Sequence, residues 1–263
     1  MDYRDIFEKY FPVWGICPFS EAQPYLFECA AKKRIPENAD SIIVALFPYS
    51  LEDEKYENAN ISRYAVVPDY HVVAKERLSN ACDELRQLYP DEEFEVFIDN
   101  SPLPEVSVAV KAGVGTKGKN GLLINPDYGS WVFIGEIVTT MKINISSENR
   151  RECIGCMKCV EACPTGALSE NGFDREICLS AITQQKKPLT EEQKELIKKS
   201  GCIWGCDICQ KVCPMNKNKS TTDIEEFING AEMSARTHGN LEGRAYMWRG
   251  KEVIERNMKL IDE

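Results

Sequence analysis

The sequence lacks a long apolar run. Its longest apolar stretch, "SIIVALF", covers Ser41–Phe47, whereas a helix that spans a bilayer needs about 20 such residues. The first residues, "MDYRDIFEKYF", mix charged and aromatic side chains and contain no apolar signal core. We therefore expect neither a membrane segment nor a secretory signal.

Histidine and net positive charge are also scarce. The two histidines, His71 and His238, have no cysteine or acidic neighbour at ligand spacing, so we expect hydrogen-bonding or surface roles. The net charge of −10 argues against general nucleic-acid binding. Locally the balance reverses, because Arg175–Lys219 holds nine basic and five acidic residues. This segment either faces a polyanion or forms a solvated surface.

Cysteine is abundant. The chain of 263 residues has twelve cysteines, and nine of them fall between Cys153 and Cys213. A chain of this length buries a core without disulfides, and disulfides do not require such clustering, whereas metal clusters do. Thiolates that bind iron need a reducing compartment, so the pattern indicates a cytoplasmic protein.

The first cysteine run has the spacing of bacterial ferredoxins. "CIGCMKCVEACP" places Cys153, Cys156, Cys159 and Cys163 as C-x2-C-x2-C-x3-C-P. In that geometry three thiolates hold one [4Fe–4S] cluster and the fourth reaches a second cluster. A zinc site needs four ligands, typically two CxxC pairs, and no proline after the fourth. The run therefore favours iron–sulfur clusters over zinc.

The second run, in "GCIWGCDICQKVCPMNK", completes the pair. By the crossover rule Cys213 joins the first three cysteines on the first cluster. The second cluster then has three ligands, Cys163, Cys206 and Cys209. Spacing leaves two candidates for its fourth ligand: Cys202, which is nearer in sequence, and Cys178.

The remainder of the sequence predicts an α+β fold. "SIIVALF" and "FEVFID" (Phe94–Asp99) are rich in β-branched and aromatic residues and predict strands, as do "GLLI" and Trp131–Val138. Between the first two strands, apolar residues recur at helical spacing: Leu78, Ala81, Cys82, Leu85 and Leu88. Cys82 is therefore expected in the core and not on a metal.

We expect three parts: an N-terminal α+β domain over 1–145, a double-cluster ferredoxin-like domain over 146–220 and a helical tail over 221–263. Within the second part, "PLTEEQKELIKK" (Pro188–Lys199) predicts a helix with Thr190 as N-cap. In the tail, one helical face is predicted to carry Met247, Ile254, Met258 and Ile261.

Two features of the first part allow two interpretations each. Gly113, Gly115 and Gly118 match the dinucleotide pattern GxGxxG, with Glu136 18 residues further on; alternatively, the glycines permit tight turns or close approach. Asp99 follows a predicted strand and would donate a proton if burial raised its pKa. Otherwise it forms an Asx-turn or a helix cap.

Six ordered stretches of this sequence resemble motifs of the epoxyqueuosine reductase family. The family patterns are Y-A-x-G-x-D-Y-H, D-x-x-P-x-x-E, A-G-L-G-x-x-G-K-N and G-S-W-x-x-x-G-E, followed by the two cysteine runs. They correspond here to Tyr64–His71, Asp99–Glu105, Ala112–Asn120, Gly129–Glu136, Cys153–Pro164 and Gly205–Asn216. The sequence departs from them in "YAVVPDYH", which has no glycine.

The resemblance implies a cobalamin-dependent reductase. In that family two [4Fe–4S] clusters reduce a corrinoid cobalt, which acts on the epoxide of a modified tRNA nucleoside. The resemblance makes Asp99 the expected proton donor. It also implies an N-terminal α/β-type cobalamin-binding reductase domain in which Asp99, Leu123, Ile134 and Gln185 contact the cofactor.

The resemblance also bears on the open ligand position. The family takes a cluster ligand from a C-I-S-Y-x-T-I-E stretch, and "CLSAITQQ" begins here at Cys178, fifteen residues after Cys163, with Gln185 in place of the closing acid. Cys178 is then the fourth ligand of the second cluster and Cys202 is a spare cysteine. Neither the spacing nor the resemblance assigns a role to Cys17 or Cys29.

The implied partners are tRNA and a redox donor such as a flavodoxin or ferredoxin. The sequence ends at Glu263 without the helical repeats by which full-length family members hold tRNA. Two alternatives stay open: an electron carrier without substrate chemistry, and a corrinoid-dependent reductase of a small molecule. The sequence does not indicate an oligomeric state.

Overall fold

The structure, a computed structural model, describes residues 2–143, 152–235 and 241–262. The described helices are α1 Tyr3–Tyr10, α2 Phe19–Ala22, α3 Arg63–Val66, α4 Tyr70–Leu88, α5 Glu105–Lys111, α6 Lys158–Glu161, α7 Leu179–Gln184, α8 Glu191–Ser200, α9 Ile208–Lys211, α10 Glu225–Asn229 and α11 Lys251–Asp262. The strands are β1 Val13–Pro18, β2 Ser41–Pro48, β3 Phe94–Phe97, β4 Thr116–Lys117, β5 Leu123–Ile124, β6 Val132–Thr139, β7 Leu168–Ser169 and β8 Gly172–Phe173. The mixture confirms the α+β class.

The chain forms two compact units. The first comprises residues 1–48 and 70–154, and the second comprises residues 49–69 and 155–263. The second unit thus includes a segment from the first third of the chain together with the cysteine runs and the tail. The motif "YAVVPDYH" crosses the boundary, because Asp69 ends one segment and Tyr70 begins the next.

The first unit contains an antiparallel sheet of order β1-β2-β6-β3. All eight residues of β2 are buried, as expected of an inner strand covered on both faces. The predicted strand Ser41–Phe47 is confirmed. The strand predicted over Phe94–Asp99 is shorter and ends at Phe97.

Helices cover both faces of this sheet. On one face lie α1 and α4; α4 approaches so closely that a Cβ on Gly135 would stand 2.7 Å from Leu78 Cδ1. Cys82 is buried in the apolar stripe of α4, as predicted, whereas Leu88 at the helix end is exposed. On the other face α5 joins an apolar cluster that includes Val44, Leu103, Val108, Ala109 and Val138.

The second unit is built from short elements around two apolar clusters. Residues 49–69 belong to it because their backbone pairs with the second cysteine run. The Ser62 N–H donates to Trp204 O at 2.8 Å, and the Ile203 N–H donates to Asn60 O at 2.7 Å. Trp204 is fully buried, and its indole N–H donates to the Tyr64 hydroxyl at 2.7 Å.

Of the two helices predicted in the second unit, α8 begins as expected, whereas the apolar face predicted for the tail is only partly present in α11. Helix α8 has Thr190 as N-cap, and Gln193 completes a capping box. In the tail, Ile254 and Met258 are buried along α11. Met247 does not share that face, because it lies in a 3-10 turn that ends before Gly250, whose φ is 96°. Among the helices that the structure describes, none is long and apolar enough to cross a membrane.

Candidate active site and cluster domain

Asp99 lies two residues beyond the end of β3. It and Asn100 adopt consecutive left-handed conformations, with φ values of 43° and 40°, in which the Asn100 N–H donates to Asp99 Oδ1 at 2.8 Å. This contact joins adjacent residues and is therefore neither the Asx-turn nor the helix cap that the sequence offered as the alternative. The side chain is 57% exposed, so it is not the buried carboxyl that the proton-donor interpretation assumed.

Two aromatic side chains at the start of α4 contact the Asp99 carboxylate. The Tyr70 hydroxyl donates to Oδ2 at 3.2 Å, and His71 Nε2 lies 3.4 Å from the same oxygen. Tyr70 is held by stacking on Phe133 of β6, with ring centroids 4.0 Å apart and planes 7° apart. His71 thus has an acidic partner that sequence spacing did not reveal, since Asp99 is 28 residues away. His238 lies outside the described residues.

The hydrogen bond with His71 is the main cause that lowers the pKa of Asp99 to about 2. Partial desolvation opposes this effect, and hydrogen bonds from Asn100 and Tyr70 add to it. The expected direction was the reverse. An Asp99 carboxyl with this pKa is ionised at neutral pH, and its Oδ2 shares a hydrogen bond with His71 Nε2.

Two further carboxyl groups lie in the same unit. Glu136 is fully buried on β6, where its Oε2 accepts a hydrogen bond from Ser101 Oγ at 3.2 Å. Glu105 is the first residue of α5. Burial and then the Asp99 charge raise the pKa of Glu105 to about 7. Burial and then Glu105 raise the pKa of Glu136 well above its usual value.

The glycine-rich stretch does not form a dinucleotide site. That fingerprint needs a strand before the glycines and a helix after them, whereas Gly113 follows α5 and Gly115 precedes β4. A Cβ on Gly115 would lie 2.8 Å from Ile124 O, and one on Gly118 would lie 2.4 Å from Asn120 Oδ1. These glycines therefore permit close packing within the β4–β5 hairpin.

The residues predicted to contact cobalamin differ in burial and do not all belong to the same unit. Ile134 on β6 is half-buried, two residues from Glu136. Leu123 is 3% exposed and packs in the apolar cluster beneath α5. Gln185 belongs to the second unit, where its side chain donates to Gln193 at 2.8 Å.

The first cysteine run folds as a tight loop before and around α6. Gly155 and Met157 have positive φ values of 66° and 57°, a conformation that turns successive N–H groups to one side. Although burial raises the pKa of the Cys163 thiol, hydrogen bonds from backbone N–H groups lower it overall; the donors lie at Thr165, Leu168 and Ala167. Such donors stabilise a ligand thiolate.

Cys202 and Cys178, the two candidates for the fourth ligand, have different environments. The Cys202 thiol donates to Trp204 O at 3.2 Å and to Gly205 O at 3.4 Å. Burial raises its pKa to about 12, so the proton that donates these bonds is held firmly. Cys178 caps α7 and is half-buried. The pKa of Cys206 is raised mainly by burial and also by neighbouring Cys178 and Cys163.

Sequence reasoning did not find Asp207, which stands inside the second run. It is 6% exposed, and its Oδ2 accepts a hydrogen bond from the Arg63 N–H at 2.7 Å. With Tyr64 and Trp204 this contact joins residues 49–69 to the cysteine run within the second unit. The sequence signal for this contact was the polar pair "SR" (Ser62 and Arg63) before Tyr64. Such a pair is as common in a solvent-exposed loop as at a buried contact, so it did not identify the partner of Asp207.

The chemistry of the donor set matches iron–sulfur clusters. All twelve cysteines are among the described residues and none of them forms a disulfide. A family profile described as "4Fe-4S double cluster binding domain" matches residues 152–216. The molecule is thus an iron–sulfur protein with two [4Fe–4S] clusters that also carries a group of acids with His71 in a separate unit.

Comparison with known proteins identifies the family. A profile described as "Epoxyqueuosine reductase QueG, DUF1730" matches residues 30–100. An epoxyqueuosine reductase of Cyclobacterium marinum is 33% identical over 233 residues, which are 86% of this chain and 72% of the relative. The chain belongs to the epoxyqueuosine reductase family.

Further relatives agree on family and fold. An epoxyqueuosine reductase of Lactococcus garvieae is 36% identical over 220 residues, or 79% of this chain, and the chain spans only 62% of that relative's length. A crystal structure of epoxyqueuosine reductase with a tRNA-Tyr epoxyqueuosine-modified stem loop is 26% identical with a TM-score of 0.80. That comparison covers 98% of this chain and 80% of the solved chain.

Proposed function

We propose that this chain reduces the epoxide of epoxyqueuosine in tRNA, with electrons that pass through its two [4Fe–4S] clusters. Family membership supports the reaction, and the relative solved with an epoxyqueuosine-modified stem loop supports tRNA as the substrate. The observation that carries the proposal is the exposed pair of Asp99 and His71 in a chain with a double-cluster domain.

The reaction requires both electrons and protons. Converting an epoxide to an alkene breaks two C–O bonds and releases water, and it consumes two electrons and two protons. The departing oxygen needs a proton source within hydrogen-bond reach. We assign that role to the Asp99–His71 pair: Asp99 Oδ2 and His71 Nε2 share a proton in their hydrogen bond, and the pair gives this proton to the departing oxygen. Tyr70 fixes the other side of the same carboxylate oxygen.

The residues of the first unit fit a cobalamin. Val72, next to His71, is apolar and 61% exposed, and Ile134 is half-buried where β6 runs past the end of β3 towards Asp99. The exposed Val72 would offer apolar surface to a flat macrocycle, whereas Ile134 packs against the apolar cluster on the α5 face of the sheet. When bound, cobalamin would supply the reducing centre between the clusters and the epoxide. Leu123 would support the fold beneath that surface.

For the clusters we propose two ligand sets. Cys153, Cys156, Cys159 and Cys213 hold the first cluster, and Cys163, Cys178, Cys206 and Cys209 hold the second. The hydrogen bonds of the Cys202 thiol to two carbonyls support its exclusion from either set. The external electron donor would be a flavodoxin or ferredoxin, and the basic segment Arg175–Lys219 offers positive charge to tRNA or to such an acidic donor.

The test uses the full chain with reconstituted clusters. It is mixed with cob(II)alamin, reduced flavodoxin and tRNA that contains epoxyqueuosine, and the digested nucleosides are analysed by mass spectrometry. Queuosine is the expected product. Cobalamin binding without queuosine would favour a reductase of a small molecule, and no cobalamin binding in absorbance or electron-resonance spectra would favour an electron carrier. Either outcome contradicts the proposal.

The role of the pair is tested by Asp99→Asn. The amide keeps the size of the side chain but loses the carboxylate that shares a proton with His71, so turnover should fall by about 10²–10⁴ while clusters and cobalamin stay bound. Asp91→Asn is the matched control, because Asp91 is an exposed acid just before β3. Equal turnover of the two variants would remove Asp99 from the mechanism.

A further inference from the structure

The Asp99–His71 pair accounts for one proton, and the reduction consumes two. Two carboxyl groups that the pair does not use stand in the same unit: Glu105 and Glu136. They are the last residues of two of the recognised stretches, "DNSPLPE" and "GSWVFIGE". This inference rests on the proposed function and concerns the source of the second proton.

Glu136 occupies a position where an isolated charge is unfavourable. It lies on the inner strand β6, opposite Val44 on one side and Phe97 on the other, and it is fully buried. Ser101 Oγ is its hydrogen-bond donor. Among the described residues Glu136 Oε1 has no partner, so the ionised form would leave a buried charge only half satisfied.

Glu105 faces a similar constraint. Its Oε1 is buried and, within the described part of the chain, also lacks a partner. Backbone hydrogen bonds connect Glu105 to Ser101, the hydrogen-bond donor of Glu136. The Glu105 N–H donates to Leu103 O at 3.0 Å, and the Leu103 N–H donates to Ser101 Oγ at 3.1 Å. Five residues of chain, 100–104, separate it from Asp99.

Two buried carboxyl groups near each other do not both ionise. The pKa values of Glu105 and Glu136 are each raised by burial first. Glu105 then raises the pKa of Glu136, and Asp99 raises that of Glu105. Glu105 is the member of this pair that contacts the turn after β3, because its carboxyl group accepts a hydrogen bond from the Asp99 backbone N–H.

We propose that Glu105 and Glu136 hold a stored proton that recharges the Asp99–His71 pair during turnover, so that the site delivers both protons of the epoxide reduction. In the first transfer the pair gives its proton to the oxygen. Glu105 then passes a proton to the pair, which gives it to the same oxygen as water leaves. The two electrons come from the clusters, and the exposed pair takes up two protons from solvent afterwards. Both glutamates act through Asp99 and do not contact the substrate.

The first test needs neither substrate nor cobalamin. Infrared spectra of the full chain at pH 7 should contain the carbonyl band of a buried carboxylic acid. The band should weaken in Glu136→Gln, disappear when Glu105→Gln is added, and remain unchanged in Glu76→Gln, a control on the exposed surface of α4. Absence of this band in the unaltered chain would overturn the proposal.

The second test is the pH profile of turnover on epoxyqueuosine tRNA. Unaltered enzyme should lose rate as the pH rises through about 7, the pKa of Glu105. Glu105→Gln should be about tenfold slower or more at the optimum and should lack that alkaline limb, which a merely structural role would not remove. An unchanged profile in Glu105→Gln would overturn the inference while the proposed function stands. An inactive unaltered enzyme with normal clusters would instead overturn the proposed function.

Discussion

The two units of this molecule bring reactive groups together in opposite ways. In the second unit the proposed ligands lie close in sequence, on loops shaped by left-handed residues such as Gly155, Met157 and Gly205. In the first unit the acids and His71 come from three separate elements, α4, α5 and β6, and from the turn after β3. The ligands of a cluster site can therefore be recognised from their spacing in the sequence, whereas the residues of an acid site are brought together by strand register and helix placement.

The units also stabilise their functional groups by different means. The acid group rests on a sheet with helices on both faces and a large apolar cluster. The second unit consists of short elements around two apolar clusters, and metal binding supplies further folding free energy to such segments. Changes in the second unit should accordingly act through cluster retention, and changes in the first through proton affinity.

The largest expected effect is the loss of a cluster from the second unit. Cys178→Ser should remove one cluster, so the iron content should fall from about eight to about four atoms per chain. Cys202→Ser should keep both clusters, because its thiol bonds to backbone carbonyls. Iron analysis and electron-resonance spectra measure both. If Cys202→Ser lost the cluster and Cys178→Ser kept it, the proposed ligand set would be wrong.

A smaller effect compares glycines from the two units. Gly205 has φ 78°, and a Cβ there would stand 2.0 Å from Ser62 Oγ. Gly205→Ala should destabilise the second unit by about 3 kcal/mol, because strain and overlap add. Gly121 has φ 81° but nothing within 4 Å, so Gly121→Ala should cost only about 1 kcal/mol. Thermal unfolding of the cluster-loaded chain measures the two; equal losses would show that the contact with Ser62 does not matter.

The smallest expected effect concerns the first unit and is a pH dependence of its stability that arises from Glu136. The pKa of Glu136 is raised in the folded chain, so above its unfolded value near 4.5 the native state binds a proton that the unfolded state has lost. The free energy of unfolding then decreases as pH rises, by about 1.4 kcal/mol per pH unit. Glu136→Gln should lack this slope and become relatively more stable at alkaline pH. Denaturant unfolding at several pH values tests this, with Glu76→Gln as control; parallel curves for all three proteins would exclude a buried neutral acid.

The local features of the fold were predictable from the sequence. Apolar content placed β2, helical spacing placed Cys82 in the core, and Thr190 marked the start of α8. Each of these depends on neighbours within a few positions. The error at Met247 is of the same local kind, since the apolar spacing continues across the turn at Gly250 although the helix does not.

The acid site was only partly predictable because tertiary contacts create it. Asp99 was selected from its place after a strand, yet its exposure and its lowered pKa depend on His71 from another helix. Glu136 left a readable signal: along β6 it shares one face with Val132, Ile134 and Val138, and an acid in such an apolar series is a candidate for burial. No spacing rule would have joined residues 49–69 to the second unit, since the partners of these backbone and side-chain contacts lie about 140 residues apart in sequence.

Three cysteines have thiol pKa values raised far enough to serve as unreactive internal controls in a chemical labelling experiment. Burial raises the pKa of Cys17, Cys82 and Cys202 to about 12 each, so at pH 8 roughly one thiol in ten thousand is the reactive thiolate. An alkylating reagent applied after gentle chelation should therefore modify the eight proposed ligands and Cys29 while it leaves Cys17 and Cys82 of the first unit intact, and it should reach Cys202 only where the second unit unfolds with the loss of its clusters. Counting adducts by intact-mass spectrometry would then follow the loss of each cluster in turn.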